Sequence, residues 1–171
     1  GTDTGAAVIF GATGGVMEAA LRYAAEVISG QKLEKLEFNE VRGVEGIKTA
    51  SYKVGDMTIN VAVASGTGNA KKLLNMVKAG ELDVQFIEIM ACPGGCVNGG
   101  GQPIVCSKDR MDKDIRVERA KALYSEDKAL EYRKSHDNPF IKKIYEEYLG
   151  EPGSHKAHDL LHTHYIARDK H

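Results

Sequence analysis

Phe86-Ile-Glu-Ile-Met-Ala-Cys-Pro-Gly-Gly-Cys-Val-Asn-Gly-Gly-Gly-Gln-Pro103 is the stretch on which the fold and the chemistry both turn. Phe86 to Met90 is a short apolar run of the kind that forms a buried strand, and it runs straight into Cys92. Cys92-Pro-Gly-Gly-Cys96 puts two thiols within one loop or helical turn, and five of the eight residues from Gly94 to Gly101 are glycine. Glycine lets backbone approach a bound group closely and leaves its amides free to face sulfide or another anion. Thiolates are soft ligands suited to iron–sulfur clusters and to zinc. The plainer alternative is a tight turn with two inert buried cysteines.

On the amino-terminal side, Met57 to Ala64 is a second apolar strand, ended by Ser65-Gly-Thr-Gly68, with a helix over 69–79 stopped at Gly80. Residues 47–54 form a strand into the Gly55-Asp56 turn, and 33–41 are a further plausible strand. Ala6-Ala-Val-Ile-Phe10 reads as a buried strand ended by Gly11-Ala-Thr-Gly-Gly15. Apolar residues at helical spacing follow (Val16, Ala20, Ala24, Val27, Ile28), with Gly30 placed as a helix cap. Three strand–glycine-loop units suggest an α/β layer with a partly parallel sheet. In such sheets ligands collect beyond the carboxyl ends of the strands. If the strands are parallel, the loops after Phe10, Ser65 and Met90 converge on one edge.

After Pro103 the pattern turns helical. Residues 114–131 form an amphipathic helix (Ile115, Ala122, Leu123, Leu130), and the charged face of 108–134 reads as a solvated surface that could dock an electron-transfer partner. Asn138-Pro139 is an N-cap and first-turn pair, followed by a stripe of Phe140, Ile141, Ile144, Tyr145, Tyr148 and Leu149 that ends at Gly150 and Pro152. His136, just before that cap, reads as a structural hydrogen-bonding residue. The organisation is a single domain: residues 1–106 an α/β lobe carrying the cysteine–glycine loop, residues 107–171 a helical extension packed on it.

A chain of 171 residues can bury one sizeable core. Its net charge of −1 gives no electrostatic case for nucleic acid or an anionic membrane. With no run of ~18 apolar residues and no secretory leader pattern, the expectation is a soluble protein of a cytoplasmic compartment. Three cysteines are an odd count, so a disulfide framework is a poor reading and metal or redox chemistry a better one. A strand within five residues of a start that is not methionine suggests a piece cut from a longer chain.

Other signals carry less. Gly11 to Gly15 joins a strand to a helix and could cradle a phosphate, though it is neither a Walker loop nor a dinucleotide fingerprint. Gly66-Thr-Gly68 has that fingerprint's first two glycines, but Lys71 occupies the third position. Close packing of helix on strand is the competing account. His158 and His162 are four apart, in a tail that also holds His155, His164 and His171, and would share a helix face as in some zinc sites. Cys106 has no assigned role.

The segment Met90-Ala-Cys-Pro-Gly-Gly-Cys-Val-Asn-Gly-Gly-Gly-Gln-Pro103 matches without departure the third signature of the [FeFe] (iron-only) hydrogenases, and the whole chain resembles the carboxy-terminal half of their catalytic domain. Phe10-Gly-Ala-Thr-Gly-Gly-Val-Met-Glu-Ala-Ala-Leu-Arg22 resembles a strand–loop–helix of the same family, and Ala157-His-Asp-Leu-Leu-His-Thr-His-Tyr165 its usual end. The resemblance implies one lobe of the iron hydrogenase α/β fold: a small, partly parallel four-stranded sheet flanked by helices, with a helical carboxy-terminal region. It also implies the family's active site, the H-cluster, a [4Fe–4S] cubane joined through a cysteine sulfur to a two-iron unit. By that likeness Cys92 would bind the cubane, Cys96 would bridge cubane and two-iron unit, Met90 would stand beside the latter, and Phe10 and Gly11 would wall the pocket.

The implied chemistry is reversible reduction of protons to dihydrogen. The implied partners are the missing amino-terminal half of the domain and an electron carrier, either a ferredoxin or an NAD(P)-linked subunit. A cubane takes four thiolates, and this chain has three cysteines. The family's other two signatures, with the remaining cubane cysteines, are absent, so the isolated piece is expected to hold no complete H-cluster and to be inactive. Two alternatives stay open. One is a hydrogenase-like protein of iron–sulfur assembly or sensing. The other is a stand-alone module binding zinc or a simple cluster through Cys92, Cys96 and Cys106 or a histidine.

Overall fold

Strand β2 (Met57–Ser65) is buried without interruption from Val61 to Ser65, because it is the middle strand of the sheet and both its faces are covered. The computed structural model describes residues 1–33 and 35–169. β1 (Ile47–Val54) pairs with β2 antiparallel through the Gly55-Asp56 turn, from Val54 opposite Met57 to Ile47 opposite Ala64. β3 (Phe86–Met90) pairs with β2 in parallel, Val61 opposite Phe86 and Ser65 opposite Met90, after a crossover through helix α3 (Thr67–Lys78). Because Ser65 and Met90 are register partners, the two strands end at the same edge.

Helix α2 (Gly15–Ser29) covers one face, its Met17 and Leu21 packing with Phe38, Val41, Val61 and Val63. Helix α3 covers the other, Ala70 and Leu73 meeting Ala62 and Ala64. The alternation of the sheet sends Val61 and Val63 one way and Ala62 and Ala64 the other. The expected α/β architecture is therefore present, as a three-stranded rather than four-stranded sheet among the described residues.

Two expected strands are something else. Residues 6–10 are helical: α1 spans Gly5–Val8 and a 3-10 turn covers Ile9–Gly11. Thr4 caps it through Oγ1, which accepts from the Ala7 amide, and the Gly5 and Ala6 amides donate to the carbonyls of Tyr132 and Arg133. In the expected strand 33–41, Glu34 lies outside the described residues. Residues 35–38 carry no ladder, Asn39–Val41 form a 3-10 turn, and the Leu36 carbonyl accepts from Arg22 Nε (3.0 Å).

The carboxy-terminal third is helical: α4 (Ser107–Asp112), α5 (Ile115–Ala129), α6 (Pro139–Ile144) with a π-turn over Tyr145–Leu149, and α7 (His155–Leu161). Asn138 caps α6, its Oδ1 accepting from the Phe140 amide while its Nδ2 donates to the Thr2 carbonyl. Of the apolar stripe that follows, Leu149 is buried, whereas Phe140, Ile141, Ile144 and Tyr148 face solvent. Among the described residues no helix is long and apolar enough to cross a membrane.

The charged face of 108–134 is not wholly solvated. Asp127 is completely buried and receives Arg22, also completely buried, in a bidentate pair at 2.7 and 2.8 Å. Arg22 donates further to Glu18, to the Arg133 carbonyl and to the Leu36 carbonyl, so all five of its N–H donors are used. Arg42 closes the same cluster onto Glu18, and Arg133 onto Asp127. A second group holds Glu26 against Lys134 and His136, which fills the structural role expected of that histidine.

Candidate metal centre

The edge where β2 and β3 end is where the cysteine–glycine loop begins. The Gly66 amide donates to the Met90 carbonyl (2.7 Å), joining the two strand ends. The Gly94 amide donates to Ser65 Oγ (2.9 Å), and the Thr13 amide donates to the Gly94 carbonyl (3.1 Å). Thr13 and Ser65 are buried and their hydroxyls lie 3.5 Å apart. The loops after residues 10, 65 and 90 thus converge as expected, although the first follows a helical turn and not a strand.

Gly95 is the tightest point of that convergence. Its φ of +100° lies in the left-handed region, and a Cβ there would stand 2.5 Å from the Gly11 carbonyl oxygen and 2.8 Å from the Thr13 nitrogen. Only glycine lets the two loops touch. Cys96 follows and opens a 3-10 turn over Cys96–Asn98.

Cys92, Cys96 and Cys106 are all free thiols exposed to solvent. The reading of Cys92 and Cys96 as inert buried cysteines is therefore overturned: the loop's backbone is buried at Gly94, Gly95 and Val97 while its two thiols face outward. Phe10 is 45% exposed, Met90 and Gly11 are half-buried, the Gly11 carbonyl lies against Gly95, and the Met90 carbonyl is bonded to Gly66. Two outward thiols set among glycine amides suit one side of an iron–sulfur cluster. Among the described residues no three His, Cys, Asp or Glu side chains are grouped to hold a metal ion, so the third and fourth ligands of a cubane are not assembled here.

The weaker signals resolve differently. The phosphate-cradle reading of residues 11–15 fails because the helix N-terminus already holds an anion of the protein's own. Glu88 of β3 accepts from the Gly14 and Met17 amides, each at 2.7 Å, and is itself buried. A carboxylate there meets the positive end of the α2 dipole and two otherwise orphaned amides. A Cβ on Gly14 would run into the Val41 carbonyl and one on Gly15 into that of Ile9, so these glycines serve close packing. Glu88→Gln turns an amide nitrogen towards one of those N–H groups and is expected to cost about 2 kcal/mol, read from the denaturant midpoint.

His158 and His162 stack at 4.3 Å between ring centroids, with His164 at 6.0 Å from His158, but this trio does not form a metal-holding group; His171 lies outside the described residues. Among the described residues neither Cys106 nor a histidine joins Cys92 and Cys96 in a group of three, the arrangement a zinc module would use. Cys106 donates to Asp109 Oδ2 at 3.0 Å.

Sequence reasoning missed Glu88, Ser65 and Arg119. Glu88 had left a trace: a carboxylate inside an apolar strand is rarely buried without a partner. Arg119 left none. Its guanidinium donates to the carbonyls of Val97 (2.8 Å) and Pro103 (2.7 Å), beyond the reach of any local pattern.

Residues 1–100 match the family described as iron only hydrogenase large subunit, C-terminal domain, and residues 113–168 match the iron hydrogenase small subunit. The chain is 50% identical over 170 residues to the NADP-reducing hydrogenase subunit HndD of Solidesulfovibrio fructosivorans, an alignment covering 99% of this chain and 28% of that protein. It is 48% identical over 165 residues to iron hydrogenase 1 of Clostridium pasteurianum, covering 96% and 29%. A solved structure of the [FeFe]-hydrogenase HydA1 from Chlamydomonas reinhardtii superposes with a TM-score of 0.69 at 45% identity, over 92% of this chain and 46% of that one. The cytosolic iron–sulfur assembly component 3 of Bos taurus is 31% identical over 160 residues, covering 94% and 32%. The chain spans less than a third of the length of these curated relatives.

Proposed function

The chain belongs to the iron-only hydrogenase large-subunit family, and from that premise we propose that it supplies the Cys92–Cys96 side of an H-cluster in an enzyme that interconverts protons and dihydrogen. The observation that carries this reading is the convergence of three loops on one sheet edge, with both thiols turned outward. Cys92 would hold the cubane and Cys96 would bridge it to the two-iron unit. When bound, that group supplies the redox chemistry and the site of hydrogen exchange. The chain's own residues do the holding: Ser65 and Thr13 fix the Gly94 peptide and Gly95 brings the loop onto residues 11–13; Met90, Phe10 and Gly11 would wall the side of the pocket. Three cysteines cannot complete a cubane, so the remaining ligands come from the amino-terminal half of the domain. Electrons would pass through a ferredoxin or an NAD(P)-linked subunit, the latter in keeping with the HndD relative.

The assembly-protein reading is less favoured, since those relatives share 28–31% identity against 48–50% for the two hydrogenases. The test is hydrogen evolution by the complete, matured protein with reduced methyl viologen. Activity there, lost in both Cys92→Ser and Cys96→Ser, is the expected result, and none is expected from the 171-residue chain alone. A complete protein that binds iron–sulfur clusters but evolves no hydrogen would favour the assembly or sensory reading instead.

A further inference from the structure

We propose that Arg119 is a positioning residue for the Cys96 arm of the loop, and that helix α5 sets where that thiol stands. The inference rests on the reading of Cys92 and Cys96 as cluster ligands. Between Cys96 and Pro103 the backbone runs through three consecutive glycines, Gly99 to Gly101, and belongs to no strand or α-helix. Its other support is local: Asn98 donates through its amide to the Gly95 carbonyl and through Nδ2 to the Pro93 carbonyl, while beyond it the Gly99 amide and Gln102 Nε2 (3.3 Å) both reach back to the Cys96 carbonyl. A glycine-rich arm of this kind has many conformations to lose.

Arg119 closes it from outside. One guanidinium nitrogen donates to the Val97 carbonyl at 2.8 Å and the other to the Pro103 carbonyl at 2.7 Å, so one planar group staples both ends of the segment. A lysine ammonium is a point charge on a flexible stem and lacks that two-pronged geometry.

The staple is anchored in turn. Arg116, Arg119, Leu123 and Asp127 lie three and four residues apart, on one face of α5. A Cβ on Gly94 would meet the Arg116 side chain, one on Gly11 would meet Leu123, and one on Gly5 would meet Asp127. Asp127 is locked to the buried Arg22. A single helix face therefore runs from the charged centre of the fold to the cysteine loop. Its residues fall in the segment that matches the small-subunit family, whereas the cysteines fall in the large-subunit match.

Two readouts test this. In the 171-residue chain, Arg119→Gln is expected to speed amide hydrogen exchange over 98–102 by about tenfold, with the amides of β2 unchanged and Arg119→Lys intermediate. In the complete, matured enzyme, the infrared stretching bands of the carbonyl and cyanide ligands that the family's two-iron unit carries are expected to shift or broaden in Arg119→Gln and to recover partly in Arg119→Lys. Unchanged exchange overturns the proposal, and so do unchanged bands in a variant whose loop exchange has risen. If the unsubstituted enzyme shows no such bands, the hydrogenase reading fails, and the exchange result alone then supports or overturns the staple. Should Arg119→Gln fail to fold, Arg119→Lys carries the same two measurements.

Discussion

Replacing Arg22 by methionine is expected to destabilise the chain by about 3–5 kcal/mol in chemical denaturation, the range for breaking a buried ion pair by removing one partner. Arg22, Glu18 and Asp127 are each 0% exposed. Methionine fits the space but donates nothing, so two carboxylates and the carbonyls of Leu36 and Arg133 lose a charged donor in a dry interior. Arg42 and Arg133 still reach Glu18 and Asp127, which keeps the expected loss within that range. Lys121→Met is the control. Its partner Glu118 and Lys121 itself are 48% and 66% exposed, and water screens such a pair, so the control is expected to unfold with the unsubstituted chain.

Asp127 in this cluster and Glu26 in the second group set the acid limit of the fold. Burial disfavours the charged form of Asp127, but hydrogen bonds from Arg22 and Arg133 outweigh it and hold the carboxyl below its ordinary range. Burial likewise opposes ionisation of Glu26, and Lys134, the Leu33 amide and His136 nevertheless bring it down to about 2. Both folded values are depressed, so the unfolded chain takes up protons first as pH falls below about 4 to 5. Their stabilisation is fully present above that range and is lost as pH drops towards 2. Arg22→Met should flatten this acid dependence by removing one of the groups that holds Asp127 ionised. An unaltered slope would separate Asp127 from the effect.

Gly95→Ala is the second large effect, expected to cost about 3 kcal/mol or more. The left-handed φ of +100° strains any L-residue, and the new methyl meets only backbone: the Gly11 oxygen at 2.5 Å, the Thr13 nitrogen at 2.8 Å and the Ala12 carbonyl carbon at 3.0 Å. No rotamer relieves such a contact. The loop must lift from residues 11–13, breaking the bond from the Thr13 amide to the Gly94 carbonyl. Cys96 moves with it, so a change in its alkylation rate accompanies the loss of stability. Gly100→Ala, with nothing within 4 Å of its Cβ position, is expected to leave both measurements unchanged. Equal behaviour of the two variants would refute the packing argument.

What could be read in advance was what local pattern controls. β1, β2 and β3 and the helices α2, α3 and α5 announced themselves through apolar runs, helical spacing and terminal glycines. The cysteine loop was visible because its residue types leave few other uses. What escaped depends on residues far away in the chain. Ala6 to Phe10 is too short for its period to separate strand from helix, and the amides where the turn begins, of Gly5 and Ala6, donate to the distant carbonyls of Tyr132 and Arg133. Leu36 belongs to no ladder, and its carbonyl is taken by Arg22. Asp127 looked like one more charge on a solvated helix, and only the fold shows that Arg22 waits beneath it. Arg119 is invisible for the same reason: its partners are main-chain atoms whose positions no residue type reports.

The long reach of these bonds also orders the folding of the molecule in time. The β1–β2 hairpin closes over a two-residue turn, a microsecond event. The Glu88 bonds to Gly14 and Met17 span 74 and 71 residues, and the Arg22–Asp127 pair spans 105. Contacts so distant in sequence come late. During synthesis the cysteine loop leaves the ribosome before α5 does, so the Cys96 thiol is presented on an unstapled arm while the helix that will close that arm is still being made.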